Sequence, residues 1–290
     1  MVSIETGGAR ELIDAAAAQL HRAGVGTPRL DAELMLAEAA GRSRIDVMFG
    51  VAEIDVHARS RFAAMIDRRA RREPLAYIIG CKEFFSIGFE VTPAVLIPRP
   101  ETEIVVATAL QFLADRSPAR VLDLGTGSGA IALAIAAHAA QATIVASDVS
   151  PAALEVARRN AERLGLPDRV EFRHADCFDP TDNAGSLGRF DLIVSNPPYI
   201  RDDEIVGLQP EIVRWEPHAA LAGGPDGLGF YRRIVRDCRA HLAAETLVIF
   251  EIGAGQAEAV TRILSESGFT AITAIPDLAG TPRAICACQR

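Results

Sequence analysis

The sequence predicts an α/β protein, in which a mostly parallel sheet carries helices on both faces, preceded by a smaller helical domain. From residue 120 onward, strand-like and helix-like segments alternate, which is typical of parallel strands connected through helices. Before residue 75 the apolar residues recur at helical spacing. The chain has 290 residues, more than the roughly 100–200 of one ordinary domain, so we expect two domains.

Residues 1–75 are predicted to form three helices of a recognition or packing domain. The first segment, ARELIDAAAAQLHRAG, ends at Gly24, because glycine commonly terminates a helix. The second follows the N-cap residue Thr27 and ends at Gly41. The third, DVHARSRFAAMIDRRARRE, ends at Pro74, which cannot continue a helix.

Residues 76–98 are predicted to form a β-hairpin that joins the helical domain to a second domain at 99–290. The stretch is rich in aromatic and β-branched residues and is punctuated by Gly80, Gly88 and Pro93. The motif PRPETE then opens a helix rich in valine and alanine.

Seven strands are predicted in the second domain. Five of them are separated by helices and should therefore run parallel, namely RVLDLG, ATIVASD, RVEFRHAD, FDLIVSN and TLVIFEIG. The helices include GAIALAIAAHA, PAALEVARRNAERLG and GFYRRIVRDCRAHLA. The C-terminal segment ITAIPDLAGTPRAICACQ adds two strands around a turn, which completes a mostly parallel seven-stranded sheet.

The composition excludes several classes of protein. No apolar run reaches the ~18–20 residues that span a bilayer, and the N-terminus lacks the pattern of a signal peptide, so no membrane partner is expected. The five cysteines include no CxxC pair, which favours a reducing, cytoplasmic location. Cys286 and Cys288 are interpreted as small apolar residues on one face of a strand. The six histidines are scattered, so no metal site is expected.

The charge balance argues against a general nucleic-acid-binding protein. The formal net charge is −8, whereas such proteins usually carry a basic surface. The arginine-rich run at 68–72 is interpreted as a solvated helix face, with a local basic patch as the alternative. We therefore expect no direct requirement for nucleic acid.

A glycine-rich loop, LDLGTGSGAIAL, follows the first strand of the second domain and opens a helix. Glycines allow the backbone to approach a ligand closely. A dehydrogenase could use such a loop for a pyrophosphate, but Gly129 follows Gly127 by two residues instead of three, unlike the dinucleotide-binding pattern. Asp123, just before the loop, suits a cationic or amine-bearing ligand. A tight turn without a ligand remains the alternative.

Two further features lie at the carboxyl ends of the second and fourth strands of the second domain. Asp148 ends ATIVASD, where a carboxylate can accept both hydroxyls of a ribose, although it could instead cap the next helix in competition with Ser150. SNPPYI follows FDLIVS, and its two prolines make a rigid corner without backbone donors. Because ligands bind at the carboxyl ends of the strands in open α/β sheets, all three features should face one cleft.

These residues carry a family resemblance. The glycine loop, Asp148 and the Asn196–Tyr199 corner resemble S-adenosylmethionine-dependent methyltransferases that act on planar nitrogens. The motifs PRPETE, SNPPYI, RWEPHAALAGGPDGLGFYRRI and EIGAGQ narrow the resemblance to the release factor glutamine methyltransferases, the PrmC/HemK family. It extends from about Glu73 to the C-terminus, and the helical N-terminal domain has a fitting size.

The resemblance implies a Rossmann-like class I methyltransferase domain that uses S-adenosylmethionine and no metal. Its protein substrate would be a class I peptide-chain release factor, methylated on N5 of the glutamine in the Gly-Gly-Gln motif, and the enzyme would act as a monomer. The catalytic residues would be Asn196, Pro197, Pro198 and Tyr199. The cofactor-binding residues would be Gly125, Thr126, Gly127, Ser128, Gly129, Asp148, Asp176, Cys177, Phe178 and Asn196.

For the residues that flank this set, the sequence predicts less specific roles. Asp176 could bond the adenine amino group or cap a turn, and Cys177 stands where some relatives have a tryptophan. The charged residues of PRPETE, at 99, 101 and 103, could shape the mouth of the cleft, or they could serve only at a helix N-terminus. Glu251 could close the far wall, and residues 215–217 are expected to pack a lid.

The chemistry of amide methylation explains the rigid corner. The side-chain oxygen of Asn196 and the carbonyl of Pro197 can accept the two N–H bonds of a substrate –NH₂, because proline keeps its acceptor while it lacks a donor. Tyr199 can cover the flat face of the amide. The transfer then depends on positioning and polarisation rather than on a strong base.

Two other functions fit part of the pattern. An adenine N6-methyltransferase acting on DNA or RNA would use the same corner, but it predicts a basic groove and a pocket for a flipped base. A nicotinamide dehydrogenase or a non-catalytic nucleotide-binding module would use the glycine loop and leave the corner unexplained.

Overall fold

The computed structural model describes residues 8–50, 53–180 and 186–289, and the chain divides into two compact units. The first unit comprises Met1–Gly80 together with Gln209–Trp215, and the second comprises Cys81–Leu208 and Glu216–Arg290. The short segment Gln209–Trp215 therefore belongs to the helical unit although the sequence around it belongs to the other.

The three predicted N-terminal helices are present, together with shorter ones. The helices of this unit are α1 (Ala9–Arg22), α2 (Pro28–Ala40), α3 (Arg44–Met48), α4 (Val56–Ala70), α5 (Leu75–Ile79) and α10 (Pro210–Trp215). Leu20, Met35, Leu36 and Phe62 are almost fully buried in their common core. Thr27 occupies the N-cap position of α2, but its side chain makes no capping hydrogen bond. Its hydroxyl instead donates to the Asp31 carboxylate at 2.7 Å.

The hairpin begins later than the sequence predicts. Residues 75–79 are helical, because Pro74 occupies the N-cap position and Gly80, at φ +80°, ends the helix in the left-handed region. Tyr77 and Ile78 are buried in this turn. Strands β1 (Cys81–Phe84) and β2 (Ile87–Glu90) then form the antiparallel hairpin.

Only part of the arginine-rich run at 68–72 is a solvated helix face, which corrects the sequence interpretation. Arg68 pairs with Glu73 at 2.5 Å. Arg69 is 6% exposed and, like Arg72, pairs with Glu211 of α10. Arg69 and Arg72 are thus largely buried and paired with carboxylates, whereas Arg68 is paired but 39% exposed and Arg71 is exposed. Because three of the four arginines are paired, the run as a whole is not a basic patch either.

The second unit contains the predicted mostly parallel sheet. Its strands are β3 (Ala119–Leu124), β4 (Ala142–Asp148), β5 (Val170–Asp176), β6 (Asp179–Pro180), β7 (Phe190–Ser195), β8 (Leu242–Glu251), β9 (Thr270–Pro276) and β10 (Pro282–Cys288). Among the described residues their order is β6-β5-β4-β3-β7-β8-β10-β9. The two-residue strand β6 was not predicted. The last strand, β10, lies antiparallel between β8 and β9, and Cys286 and Cys288 pack from it against the core.

Helices cover both faces of the sheet, as predicted. They are α6 (Glu103–Leu113), α7 (Ala130–His138), α8 (Pro151–Arg163), α11 (Gly229–Asp237) and α12 (Ala257–Glu266), and the unit also contains the short helix α9 (Asp202–Ile205). Successive strand residues point to opposite faces, so Val121 packs in the cluster of α6 and α7. Its neighbour Leu122 packs in the cluster that contains Ile234 of α11 and Val260 of α12. The central strands are therefore apolar on both sides.

Two further observations concern membrane and metal binding. Across the described ranges, no helix combines the length and apolar composition that crossing a bilayer requires. Within the same residues, no group of three or more histidine, cysteine, aspartate or glutamate side chains is arranged to hold a metal ion.

Candidate active site

The carboxyl ends of the parallel strands open into one cavity within the second unit. Leu124, the last residue of β3, pairs with Ser147 of β4 and with Ser195 of β7. The residues that follow these positions therefore emerge at one level of the sheet, as the crevice rule for open α/β sheets requires. They are Gly125, Asp148 and Asn196, and all three line the cavity.

The glycine loop is shaped by its own backbone hydrogen bonds. The N–H groups of Gly125 and Thr126 donate to the carbonyl of Ser147 at 2.8 and 2.9 Å. Gly129, at φ +82°, begins α7, and a Cβ there would lie 2.9 Å from the Leu133 side chain. A glycine at 129 is thus favoured by its backbone conformation, and a Cβ there would also crowd the side chains of Leu133 and Ala157.

Asp148 is tied to the glycine loop and does not cap the following helix. Its Oδ2 accepts from the N–H of Gly127 at 2.9 Å, and its Oδ1 accepts from the N–H of Ser150. Ser150 supplies the cap by accepting from Ala153. Burial raises the pKa of the Asp148 carboxyl, and the backbone donors oppose that shift. Each oxygen keeps a lone pair for a ligand hydroxyl.

Asp123 lies fully buried beside the loop and is incompletely satisfied. Its Oδ2 accepts from the Thr126 hydroxyl at 2.7 Å and from the N–H of Ala132. Its Oδ1 has no hydrogen-bond partner among the described residues. Burial raises the pKa of this carboxyl to about 7. A buried acceptor without a partner is costly, and a cationic ligand group nearby would lower that cost.

The turn after β5 is clamped by α11. Arg233 donates to the Asp176 carboxylate at 2.8 Å and to its backbone carbonyl at 3.3 Å. Cys177 adopts φ +55°, which is uncommon for a residue with a side chain. Burial raises the pKa of the Cys177 thiol to about 11, so it remains protonated at neutral pH. Phe178 is buried and stacks on His241 at 4.8 Å between ring centroids.

The Asn196 side chain is held by a short chain of hydrogen bonds. Its Nδ2 donates to the Thr102 hydroxyl oxygen at 3.2 Å. Thr102 in turn donates to Oε2 of Glu251, and Tyr199 donates to the other carboxylate oxygen at 3.2 Å. Burial and the neighbouring carboxylate both raise the pKa of Tyr199, so its hydroxyl stays protonated.

Three glycines allow the residue after the two prolines to be enclosed by backbone. A Cβ on Gly223 would lie 2.8 Å from Cα of Tyr199, and one on Gly227 would lie 2.5 Å from its carbonyl oxygen. Gly253 lies under the Tyr199 ring, where a Cβ would approach to 3.0 Å. Gln256 donates to the Tyr199 carbonyl at 2.9 Å. The glycines of AGGPDGLG and EIGAGQ thus fix the corner.

The cavity brings together most of the predicted site. The predicted residues that line it are Gly125, Thr126, Gly127, Ser128, Asp148, Asp176, Cys177, Asn196, Pro197 and Pro198. Within the described part of the chain, Gly129, Phe178 and Tyr199 are not among the lining residues. Gly129 and Phe178 are held in packing, and the hydroxyl of Tyr199 is directed to Glu251.

The PRPETE motif contributes a residue that sequence reasoning missed. Thr102 lines the cavity, whereas Arg99 and Glu103 of the motif are engaged elsewhere and Glu101 is exposed. Arg99 pairs with Glu216 at 2.5 Å, and Glu103 accepts from the backbone N–H of Phe85. Pro217 and Phe230 also line the cavity. A threonine inside a polar motif has no periodicity or charge that would have marked it beforehand.

The fold and the site together define a methyltransferase. A glycine loop, an acidic residue after the second parallel strand and an Asn-Pro-Pro-Tyr corner share one edge of a sheet whose last strand is inserted antiparallel. Residues 103–219 match the family described as "Methyltransferase small domain", and residues 11–80 match "PrmC N-terminal domain". The methyltransferase domain implies the use of S-adenosylmethionine as the methyl donor.

Relatives of known name define the family more narrowly. The chain is 42% identical over 280 residues to the release factor glutamine methyltransferase of Agrobacterium fabrum, covering 95% of each chain. It is 40% identical over 279 residues to that of Geobacter sulfurreducens, again covering 95% of each. A methyltransferase structure from Pyrococcus furiosus, 20% identical with a TM-score of 0.51, covers 77% of this chain and 98% of that one, and shows the fold alone.

The chain belongs to the release factor glutamine methyltransferase family. It is accordingly an enzyme, as the sequence motifs predicted.

Proposed function

We propose that this enzyme transfers the methyl group of S-adenosylmethionine to N5 of the glutamine in the Gly-Gly-Gln motif of class I release factors. The observation that carries the proposal is the Asn196–Pro198 corner, which lines the cavity beside the glycine loop and Asp148. Relatives named for this activity match 95% of the chain, and that coverage supports the same substrate class.

We assign the two parts of the chain different roles. Residues 1–75 are proposed to contact the release factor, and residues 99–290 to carry out the transfer after the linker at 76–98. The match of 11–80 to the N-terminal domain of the same family supports this division. A release factor as partner, together with five free cysteines, favours action in the cytoplasm. We expect the enzyme to work as a monomer and without bound nucleic acid.

The residues of the cavity fit the chemistry of S-adenosylmethionine. Asp148 retains acceptor capacity for ribose hydroxyls. Asp123 is not among the described residues that line the cavity, but its unpaired oxygen, buried beside the glycine loop, suits the cationic methionine end. Asp176 keeps Oδ2 for the adenine amino group while Oδ1 is held by Arg233. When bound, the cofactor supplies a methyl group on a sulfonium, which is already a strong electrophile.

The corner prepares the nitrogen that accepts the methyl group. The oxygens of Asn196 and Pro197 accept the two N–H bonds of the glutamine amide, which places the nitrogen and increases its electron density. Both proline φ angles are fixed, so little reorganisation is needed. Well-oriented groups of this kind can lower a barrier by roughly 7–11 kcal/mol.

The methyl transfer requires no strong base. The new bond joins the methyl carbon to the amide nitrogen while the carbon–sulfur bond breaks, and sulfur keeps the electron pair. Transfer gives S-adenosylhomocysteine and a protonated N-methylamide, which loses its extra proton to water to leave the neutral N-methylated amide. Asn196 accepts the hydrogen bond throughout, so it stabilises the charge that develops on the nitrogen.

A methyl-transfer assay tests the proposal directly. Purified enzyme is mixed with radiolabelled S-adenosylmethionine and an intact release factor, or with the same factor carrying alanine in place of the Gly-Gly-Gln glutamine. We expect label on the intact factor and none on the alanine variant. A parallel arm with DNA and structured RNA tests the adenine alternative. Label on nucleic acid alone would overturn the proposal.

A further inference from the structure

We propose that Thr102 and Glu251 are positioning residues that set which way the Asn196 amide faces, so that its oxygen and not its nitrogen meets the substrate. The inference rests on the proposed function, because a substrate –NH₂ group needs an acceptor at this place. It assigns a role to the threonine of PRPETE and to the glutamate of EIGAGQ, two motifs that the mechanism above leaves unused.

An asparagine amide is ambiguous until its surroundings choose an orientation. One side carries two N–H donors and the other an acceptor, and a half-turn exchanges them with little change of shape. If the half-turn occurred here, donors of Asn196 would face the donors of the substrate. The adjoining prolines at 197 and 198 have no N–H group that could hold the oxygen or select the orientation.

Thr102 makes that selection through its single hydroxyl proton. The hydroxyl donates to Oε2 of Glu251, with an oxygen–oxygen distance of 2.5 Å. Since the proton is committed to the carboxylate, the hydroxyl oxygen can only accept from Asn196. It accepts from Nδ2 at 3.2 Å, which leaves Oδ1 of Asn196 as the free acceptor. The Glu251 carboxylate thus sets the direction of both hydrogen bonds, from Thr102 to Glu251 and from Asn196 to Thr102.

Glu251 is buried where it can only serve this network. The residue is 1% exposed, and Tyr199 donates to its second oxygen at 3.2 Å. Burial raises the pKa of Glu251 to about 7, while the hydrogen bonds from Thr102 and Tyr199 lower it and Glu101 and Arg283 act in opposite directions. Above that pH the group is ionised, and an ionised carboxylate only accepts hydrogen bonds.

Two substitutions at Thr102 separate positioning from general packing. Thr102→Val keeps the shape and removes the hydroxyl, whereas Thr102→Ser keeps the hydroxyl and removes a methyl group. At pH 8 we expect kcat on the release factor to fall at least ~10-fold in the valine variant, as for other misplaced reacting groups. The serine variant should recover most of it. The cofactor Kd should be unchanged in both variants, and thermal unfolding verifies that both fold.

A second readout does not depend on turnover. In protein labelled with ¹⁵N-asparagine, the side-chain protons of Asn196 should exchange with water slowly in the wild type and in Thr102→Ser, and faster in Thr102→Val. Equal exchange and equal kcat in all three proteins would overturn the positioning role. Absence of label on the release factor from the wild type would instead contradict the proposed function, and the exchange rates would then decide the inference alone.

Discussion

Asn196 follows β7 and Asp148 ends β4, the two strands that flank β3 in the sheet, yet different kinds of group hold the two side chains. Asn196 is held through side chains, because its Nδ2 bonds the Thr102 hydroxyl. Asp148 is held by backbone N–H groups of Gly127 and Ser150. The arrangement at Asn196 leaves its side-chain oxygen free to accept from a neutral substrate amide. At Asp148, each carboxylate oxygen already accepts from one backbone N–H and remains able to accept from a ligand hydroxyl. Substitution of Asn196 and substitution of Asp148 should therefore impair different functions of the enzyme.

Replacement of Asn196 should impair the chemical step. With Asn196→Ala we expect kcat to fall by about 10²-fold or more, the cost of losing a preorganised polar group in a transition state. The Kd of S-adenosylmethionine, measured by calorimetry, should stay within about threefold, a difference below 1 kcal/mol. A variant with near-normal kcat would show that the corner does not use its side-chain acceptor.

Replacement of Asp148 should impair cofactor binding. Asp148→Ala removes the proposed acceptor of the ribose hydroxyls, and we expect the cofactor Kd to rise more than about tenfold, a loss of roughly 1.4 kcal/mol. Glu155→Gln, on the exposed face of α8, is the matched control and should leave Kd unchanged. Equal calorimetric affinities for Asp148→Ala and the control would place the ribose contact on another residue.

Among the elements, the loop between β7 and α11 depends on glycines for two separate reasons. Gly224 and Gly227 both have positive φ, at +89° and +73°. A Cβ on Gly224 would meet nothing within 4 Å, whereas one on Gly227 would lie 2.5 Å from the Tyr199 carbonyl. Comparing substitutions at these two glycines therefore separates the cost of a left-handed backbone conformation from the cost of a steric clash.

Alanine substitution at these two positions should give unequal losses. Gly224→Ala carries only the left-handed backbone cost of roughly 1–2 kcal/mol. Gly227→Ala adds a clash that must displace the corner, which typically costs a further ~1–3 kcal/mol. We expect a lower Tm and a lower kcat for Gly227→Ala than for Gly224→Ala, measured by calorimetry and methyl transfer. Equal Tm and kcat values for the two variants would mean that the Asn196–Tyr199 corner moves to accommodate the Cβ without loss of stability or activity.

The success of sequence reasoning also differs between elements. Five of the seven longer strands were predicted because helix-like segments separate them, and the last two because they flank a turn near the C-terminus. The short elements were not, since β6 (Asp179–Pro180) has two residues and α5 takes its ends from Pro74 and Gly80. The same holds within the site. The glycine loop, Asp148 and the corner were found by pattern, but the link between Thr102 and Glu251 joins residues 149 positions apart.

At the scale of the whole molecule, the sequence did not predict that Gln209–Trp215 belongs to the helical unit. The chain passes between the two units at 80/81, 208/209 and 215/216. What holds the segment is a set of charges from distant positions, because Glu211 accepts from both Arg69 and Arg72. Periodicity could mark the arginine-rich run on α4, but it could not identify the carboxylate that pairs with it.

This ion network should contribute to the stability of the helical unit. The side chains of Arg69 and Glu211 are 8% and 13% exposed, and Arg69 also pairs with the buried Asp31 at 2.7 Å. Removing one member of a buried network leaves an uncompensated charge, which costs about 3 kcal/mol. We expect a loss of that size for Glu211→Gln in urea unfolding at pH 7. The exposed pair of Glu258 and Arg262 supplies the control, since Glu258→Gln should cost under about 0.5 kcal/mol.

The stabilisation by Glu211 should also depend on pH in a defined direction. Burial by itself raises the pKa of Glu211, but hydrogen bonds, chiefly from Arg72 and Arg69, outweigh that effect and hold the pKa at about 2, below its ordinary value of 4.5. A carboxyl whose pKa is lowered on folding stabilises the fold fully above its unfolded pKa, and that contribution is lost as pH falls through the folded value. The difference between wild type and Glu211→Gln should therefore be constant from pH 7 to about 5 and shrink between pH 4.5 and 2. A difference that persists unchanged at pH 2 would show that packing of the segment, and not its charge, holds it in the helical unit.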